Sequence, residues 1–222
     1  MPKWIKFIIA LLLLPTCAGA ARALWHTVRA SLHSPGHDAL LIWIPLLAGV
    51  ACWFVIFFLM PRPMWLYVFG HELTHALWTW LFHGEIKKMK VSAKGGHVII
   101  SKTNFLIALA PYFFPLYALI VIGVFALGNL IWGWHDYLPI FYLVLGAAYA
   151  FHATLTGHVL RMEQTDVTSQ GYLFSAVVIF LGNVVPLLFA IPVLNHHPDI
   201  FKTCAEWCAE TEKVYIALHR LF

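Results

Sequence analysis

Long apolar stretches alternate with short polar connectors along this chain, and the length of those stretches most limits what it can fold into. A bilayer core of about 30 Å takes a helix of roughly 20 apolar residues. Such runs cover residues 4–20, 38–60, 63–83, 103–127, 138–160 and 171–194. Of the 222 residues 61% are hydrophobic and 11% charged, with a mean hydropathy of +0.79. Soluble domains carry roughly a quarter charged residues. The expected fold is all-α: a polytopic membrane protein of about six transmembrane helices, forming a single membrane domain over 1–222, with a tail from 195.

The net charge of +4 lies mostly between the apolar runs, so it reports orientation in a lipid bilayer rather than nucleic-acid binding. With six spans, connectors 21–37, 84–102 and 161–170 share one face holding eight cations, against six on the other. Positive-inside bias then puts that face, and the nearer mouth of any site beside it, in the cytoplasm. Lys3 and Lys6 argue for the opposite side at the N-terminus. Ala18-Gly19-Ala20 also resembles a cleavage site, so residues 1–20 are either a first span or a secretory signal peptide.

The third run carries Gly70-His71-Glu72-Leu73-Thr74-His75, an H-E-x-x-H pattern. On a helix His71 and His75 lie at i and i+4, one turn apart on one face. That spacing suits two nitrogen ligands on one Zn2+, with Glu72 placed as general base toward its water. With 13 His in the chain, the pattern arises by chance in roughly 2 of a hundred such chains, so its setting matters. The same face is expected to continue through Thr79 and His83 as a polar stripe. Ionisable groups at membrane depth are costly and usually functional; the bland alternative is a set of histidines bonded to neighbouring helices.

After Gly84 the character changes. Lys87 to Ser92 and His97 to Ser101 flank Ala93-Lys94-Gly95-Gly96, which predicts a short β-hairpin directly after the motif helix. A basic solvated loop is the competing reading. Pro111 and Pro115 are expected to bend the fourth span, and Gly182-Asn183 and Pro186 to interrupt the sixth. The tail is expected to form a short amphipathic helix through Ile200, Trp207, Tyr215 and Leu218. Cys17 and Cys52 read as packing residues. Cys204 and Cys208 are a weak metal signal without a second ligand pair.

Two histidines leave a catalytic zinc one protein ligand short of three. Asp166 and His152 are the best candidates, and Glu163 and His158 are weaker. Asp166 could instead cap the sixth span. Depth favours His152: it and His75 each lie eight residues before the end of their runs, about 12 Å inside the same surface. On the residues alone the choice stays open.

The chain resembles the site-2 protease family of intramembrane zinc metalloproteases. The resemblance rests on Gly70 to His75 in a membrane helix, the hairpin after it, Ala108-Leu109-Ala110-Pro111-Tyr112, and an aspartate segment before a later span. It covers residues 64–194, and H-E-x-x-H is its specific part. It implies an endopeptidase that cleaves transmembrane segments of a membrane-protein substrate. It also implies that an aspartate completes the zinc site, at the position of Asp166. Here Gln164-Thr165-Asp166-Val167 lacks the Asn-Pro before and the Gly after that the family commonly has. Asn183 is a candidate for substrate binding, or simply a helix-packing amide. A divalent-metal permease and a catalytically silent, membrane-protein-binding relative are the rival readings.

Overall fold

The computed structural model describes residues 1–33, 37–92, 95–194 and 199–220. It is mostly helical, with one two-stranded antiparallel sheet. The helices are α1 (Lys3–Leu32), α2 (His37–Leu59), α3 (Met64–Leu81), α4 (Phe105–Phe113), α5 (Leu116–Trp132), α6 (Leu138–Val159), α7 (Thr165–Gln170), α8 (Tyr172–Leu194) and α9 (Ile200–His219). The strands β1 (Ile86–Ser92) and β2 (Gly95–Ile100) follow α3. Among the described residues four helical segments are long and apolar enough to cross a membrane: α1, α2, α8, and α6 with its leading 3-10 turn. The pair α4 and α5 makes a fifth if taken as one broken span bent by 72°. Pro111 and Pro115 thus bend this stretch as expected, although its helix runs on to Trp132. The motif helix α3 is not among these segments, because His71, Glu72 and His75 lower its mean hydropathy.

The chain forms two compact units, Leu41–Gln164 and Met1–Leu40 with Thr165–Phe222. In the first, α2 and α6 approach closely through two glycines. A Cβ on Gly49 would sit 1.8 Å from Leu143 O, and one on Gly146 would sit 2.1 Å from Leu46 O. Small residues at such crossings let backbones touch where lipid offers no hydrophobic drive. Around this crossing Trp53, Tyr67, Phe151 and Leu155 form a buried cluster, and Trp53 Nε1 donates to Thr154 Oγ1 at 2.7 Å.

The helix α3 is built inside out. Tyr67, Gly70, Glu72, Thr74, His75, Ala76 and Thr79 are buried, while Leu77, Trp80 and Leu81 are exposed. Its polar stripe is therefore shielded by protein, and its apolar side faces outward. His83 does not extend the stripe. The helix ends at Leu81, His83 takes a left-handed φ of 57°, and its N–H reaches Trp80 O while that of Gly84 reaches Thr79 O. These two bonds are the Schellman ending, which satisfies the last carbonyls and turns the chain toward β1.

The hairpin forms where expected, pairing Met89 with Val98, Lys90 with His97 and Val91 with Gly96, with an irregularity between Ile86 and Lys88. Its turn residues Ala93 and Lys94 lie outside the described residues, as do residues 34–36 of the first connector and Asn195, where the tail is expected to begin.

In the second unit α1 continues to Leu32, well past the expected end at 20, so Arg22 and Arg29 lie on a helix rather than in a connector. The extension is held by α9. Trp207 Nε1 donates to Thr16 O, Tyr215 Oη to Leu12 O, and Arg22 Nε to Glu210 Oε2 at 2.6 Å. A Cβ on Gly19 would meet Thr211 Oγ1 at 2.2 Å, and Ala20 is fully buried, so two of the small residues at 18–20 have a packing explanation. The tail helix is thus real, with Asp199 capping it by accepting from Lys202 N at 2.8 Å. Nor is the sixth span interrupted: α8 runs unbroken through Gly182, Asn183 and Pro186. Prolines are tolerated in membrane helices when neighbouring groups re-satisfy the backbone.

Candidate metal centre

The two motif histidines leave α3 one turn apart with ring centroids 4.9 Å from each other and planes at 78°. What orients His75 starts in α4. Asn104 caps that helix, its side chain accepting from Ile107 N at 2.8 Å. In an α-helix Ile107 O would accept from the residue four on, but that residue is Pro111, which has no N–H. His75 Nδ1 takes the place, 2.9 Å from Ile107 O. A carbonyl only accepts, so Nδ1 carries the proton and Nε2 presents its lone pair. A histidine held this way by its second nitrogen is typical of a metal ligand.

Glu72 sits beside the pair, 7% exposed. Strand β2 passes so close that a Cβ on Gly96 would lie 2.7 Å from Glu72 Cγ, 2.9 Å from Val68 Cγ1 and 2.9 Å from Lys90 O. Only glycine lets the hairpin backbone come this near the carboxylate without a shift. His71 packs edge-on against Tyr112, with centroids 5.2 Å apart, and Tyr112 is fully buried.

His71 and His75 are thus two candidate metal ligands of the unit Leu41–Gln164, and Asp166, the third one expected from the resemblance, belongs to the other unit. Asp166 occupies the first turn of α7, a short helix in what reads as a connector from the sequence. It does not cap α8, which starts at Tyr172 after Gly171 turns the chain at a φ of 96°. Two imidazoles at this spacing suit several first-row divalent ions, and a catalytic site of that kind takes a third protein ligand.

His152 lies in the same unit as the two motif histidines. It is buried on α6, its Nε2 has no hydrogen-bond partner among the described residues, and it shares with His71 the lining of a cavity of about 20 Å³. That volume holds about one water. His158 stands in the last turn of α6 and Glu163 lies just beyond that helix. Asn183 lies on α8 and donates Nδ2–H to Ile179 O at 2.8 Å, a bond back onto its own helix. Cys17, Cys52, Cys204 and Cys208 are all free thiols, and none joins a metal-binding group among the described residues. The roles of Pro111 and Gly96 were not assigned from sequence. The signal for the first is a proline four residues after a carbonyl facing the motif helix, which only the packing of α4 on α3 reveals.

No protein-family model, no curated protein and no solved structure matches the chain significantly.

Proposed function

We propose that this chain is an intramembrane zinc-dependent endopeptidase of the site-2 protease type, cleaving transmembrane segments of other membrane proteins. The observation that carries the reading is the pairing of His71 and His75 on one face of α3, the second oriented by Ile107 O, beside the buried carboxylate of Glu72. His71, His75 and Asp166 would hold the ion. Zinc bound there supplies Lewis acidity, polarising a scissile carbonyl and making water more acidic.

Glu72 takes the proton of the attacking water as its oxygen adds to the carbonyl carbon. The carboxyl then returns that proton to the departing amide nitrogen as the C–N bond breaks. Ile107 O keeps His75 in the ligand tautomer throughout. Within the two-stranded sheet each strand has an unpaired edge, and an extended substrate segment adds there by main-chain hydrogen bonds. A transmembrane helix must unwind before water can reach its amides, and strand addition supplies bonds for the unwound backbone.

In this reading the chain crosses the membrane six times. The shielded polar face of α3 makes the sixth pass tolerable alongside the four apolar spans and the bent pair. The connectors richest in lysine and arginine face the cytoplasm.

The test is cleavage of a labelled transmembrane peptide by the purified protein in lipid vesicles. Cleavage should stop with a zinc chelator and return with zinc alone. Cleavage that persists in excess chelator would remove the metal from the mechanism.

A further inference from the structure

Lys6 lies near the start of α1 in the unit that holds α7 and α8. A lysine near a span end normally extends its ammonium to the headgroups. Lys6 does not, being only 8% exposed. A buried ammonium needs partners, and Lys6 has two. Its Nζ donates to Gln170 Oε1 and lies 5.7 Å from the centroid of the Phe174 ring.

The bond fixes which way the Gln170 amide faces, since only its oxygen can accept from an ammonium. The NH2 is left to donate to Ser169 Oγ at 3.1 Å, and Ser169 Oγ in turn donates to Asp166 O at 3.1 Å. A continuous chain of donors therefore runs from Lys6 to the backbone of the candidate ligand. On the other side Ser175, fully buried, donates to Val167 O at 3.0 Å. A helix of six residues has no stability of its own, so α7 exists because such bonds hold it.

We infer that Lys6 is a positioning residue for the metal site, fixing through Gln170 and Ser169 the turn that carries Asp166. This rests on the ligand role proposed for Asp166. It also gives α1 a task beyond anchoring, because a chain cut at Ala20 would lose the cation.

Zinc affinity of the full-length protein in detergent, measured by competition with a chromophoric chelator, tests the inference without using activity. Lys6→Met should bind zinc about tenfold more weakly, the size of effect typical of groups that orient metal ligands. Gln170→Leu, which breaks the same chain without altering α1, should do likewise. In an Asp166→Ala background neither change should weaken binding further, whereas a general loss of structure would. Wild-type affinity in Gln170→Leu, or equal losses with and without Asp166, would overturn the inference. Wild-type affinity in Asp166→Ala itself would remove the ligand assignment, and the role of Lys6 with it.

Discussion

His75 and Pro111 are coupled through one carbonyl oxygen: the proline leaves Ile107 O without its helical donor, and His75 Nδ1 fills the vacancy at 2.9 Å. A residue without an N–H on one helix thereby sets the tautomer of a candidate metal-binding imidazole on another. Pro111→Ala would return an amide proton to compete for that oxygen. We expect its zinc affinity to drop about tenfold, in the range seen when a ligand loses its orienting partner. Equal affinities by chelator competition would show that Ile107 O does not hold the ring.

Gly96 brings β2 against Glu72, and an added methyl would meet the Glu72 Cγ at 2.7 Å. Gly96→Ala should keep its zinc, because neither histidine is touched. Peptide cleavage should fall by about a hundredfold in kcat, the order expected when a reacting group is misplaced by about 1 Å. Zinc loss in parallel with activity would mean that the hairpin supports the ligands instead.

The choice of third ligand can be read from metal content. Asp166→Ala should lose zinc nearly as completely as His75→Ala, while His152→Ala should keep most of it. Loss confined to His152→Ala would mean that the side chain lining the small cavity is the ligand and the aspartate is not.

The tail helix should report pH. Hydrogen bonds from Lys213 first, then from Arg22, pull the Glu210 carboxyl down to about 2. A depressed carboxylate contributes stability above its unfolded pKa of about 4.3 and loses it as pH falls toward the folded value. Contact between α9 and α1 should therefore weaken between about pH 4.5 and 2, as followed by Trp207 fluorescence. In Glu210→Gln that acid transition should be absent; an unchanged transition would assign it to another group.

How much of this was legible beforehand follows from the length scale of each feature. The apolar runs, the hairpin after α3, the bend at Pro111 and Pro115 and the amphipathic tail are local patterns, and the sequence carries them openly. The motif spacing likewise placed His71 and His75 together. Features set by distant partners were hidden. Arg22 reads as part of a connector until α9 supplies Glu210. Lys6 reads as an orientation signal until Gln170 buries it. His83 has the right spacing for the stripe, but the helix ending turns it away. The depth arithmetic that set His152 against Asp166 treated 161–170 as a plain connector, because a six-residue helix such as α7 leaves no periodic signal in the sequence.

The central claim is that Glu72 performs proton transfer at a metal held by its neighbours. Glu72→Gln removes the base while leaving the shape and both imidazoles in place. Purified protein, wild type and Glu72→Gln, should be compared for bound zinc and for cleavage of a transmembrane peptide in vesicles. The account predicts equal zinc in the two and no cleavage by Glu72→Gln. Cleavage at the wild-type rate by Glu72→Gln would contradict it.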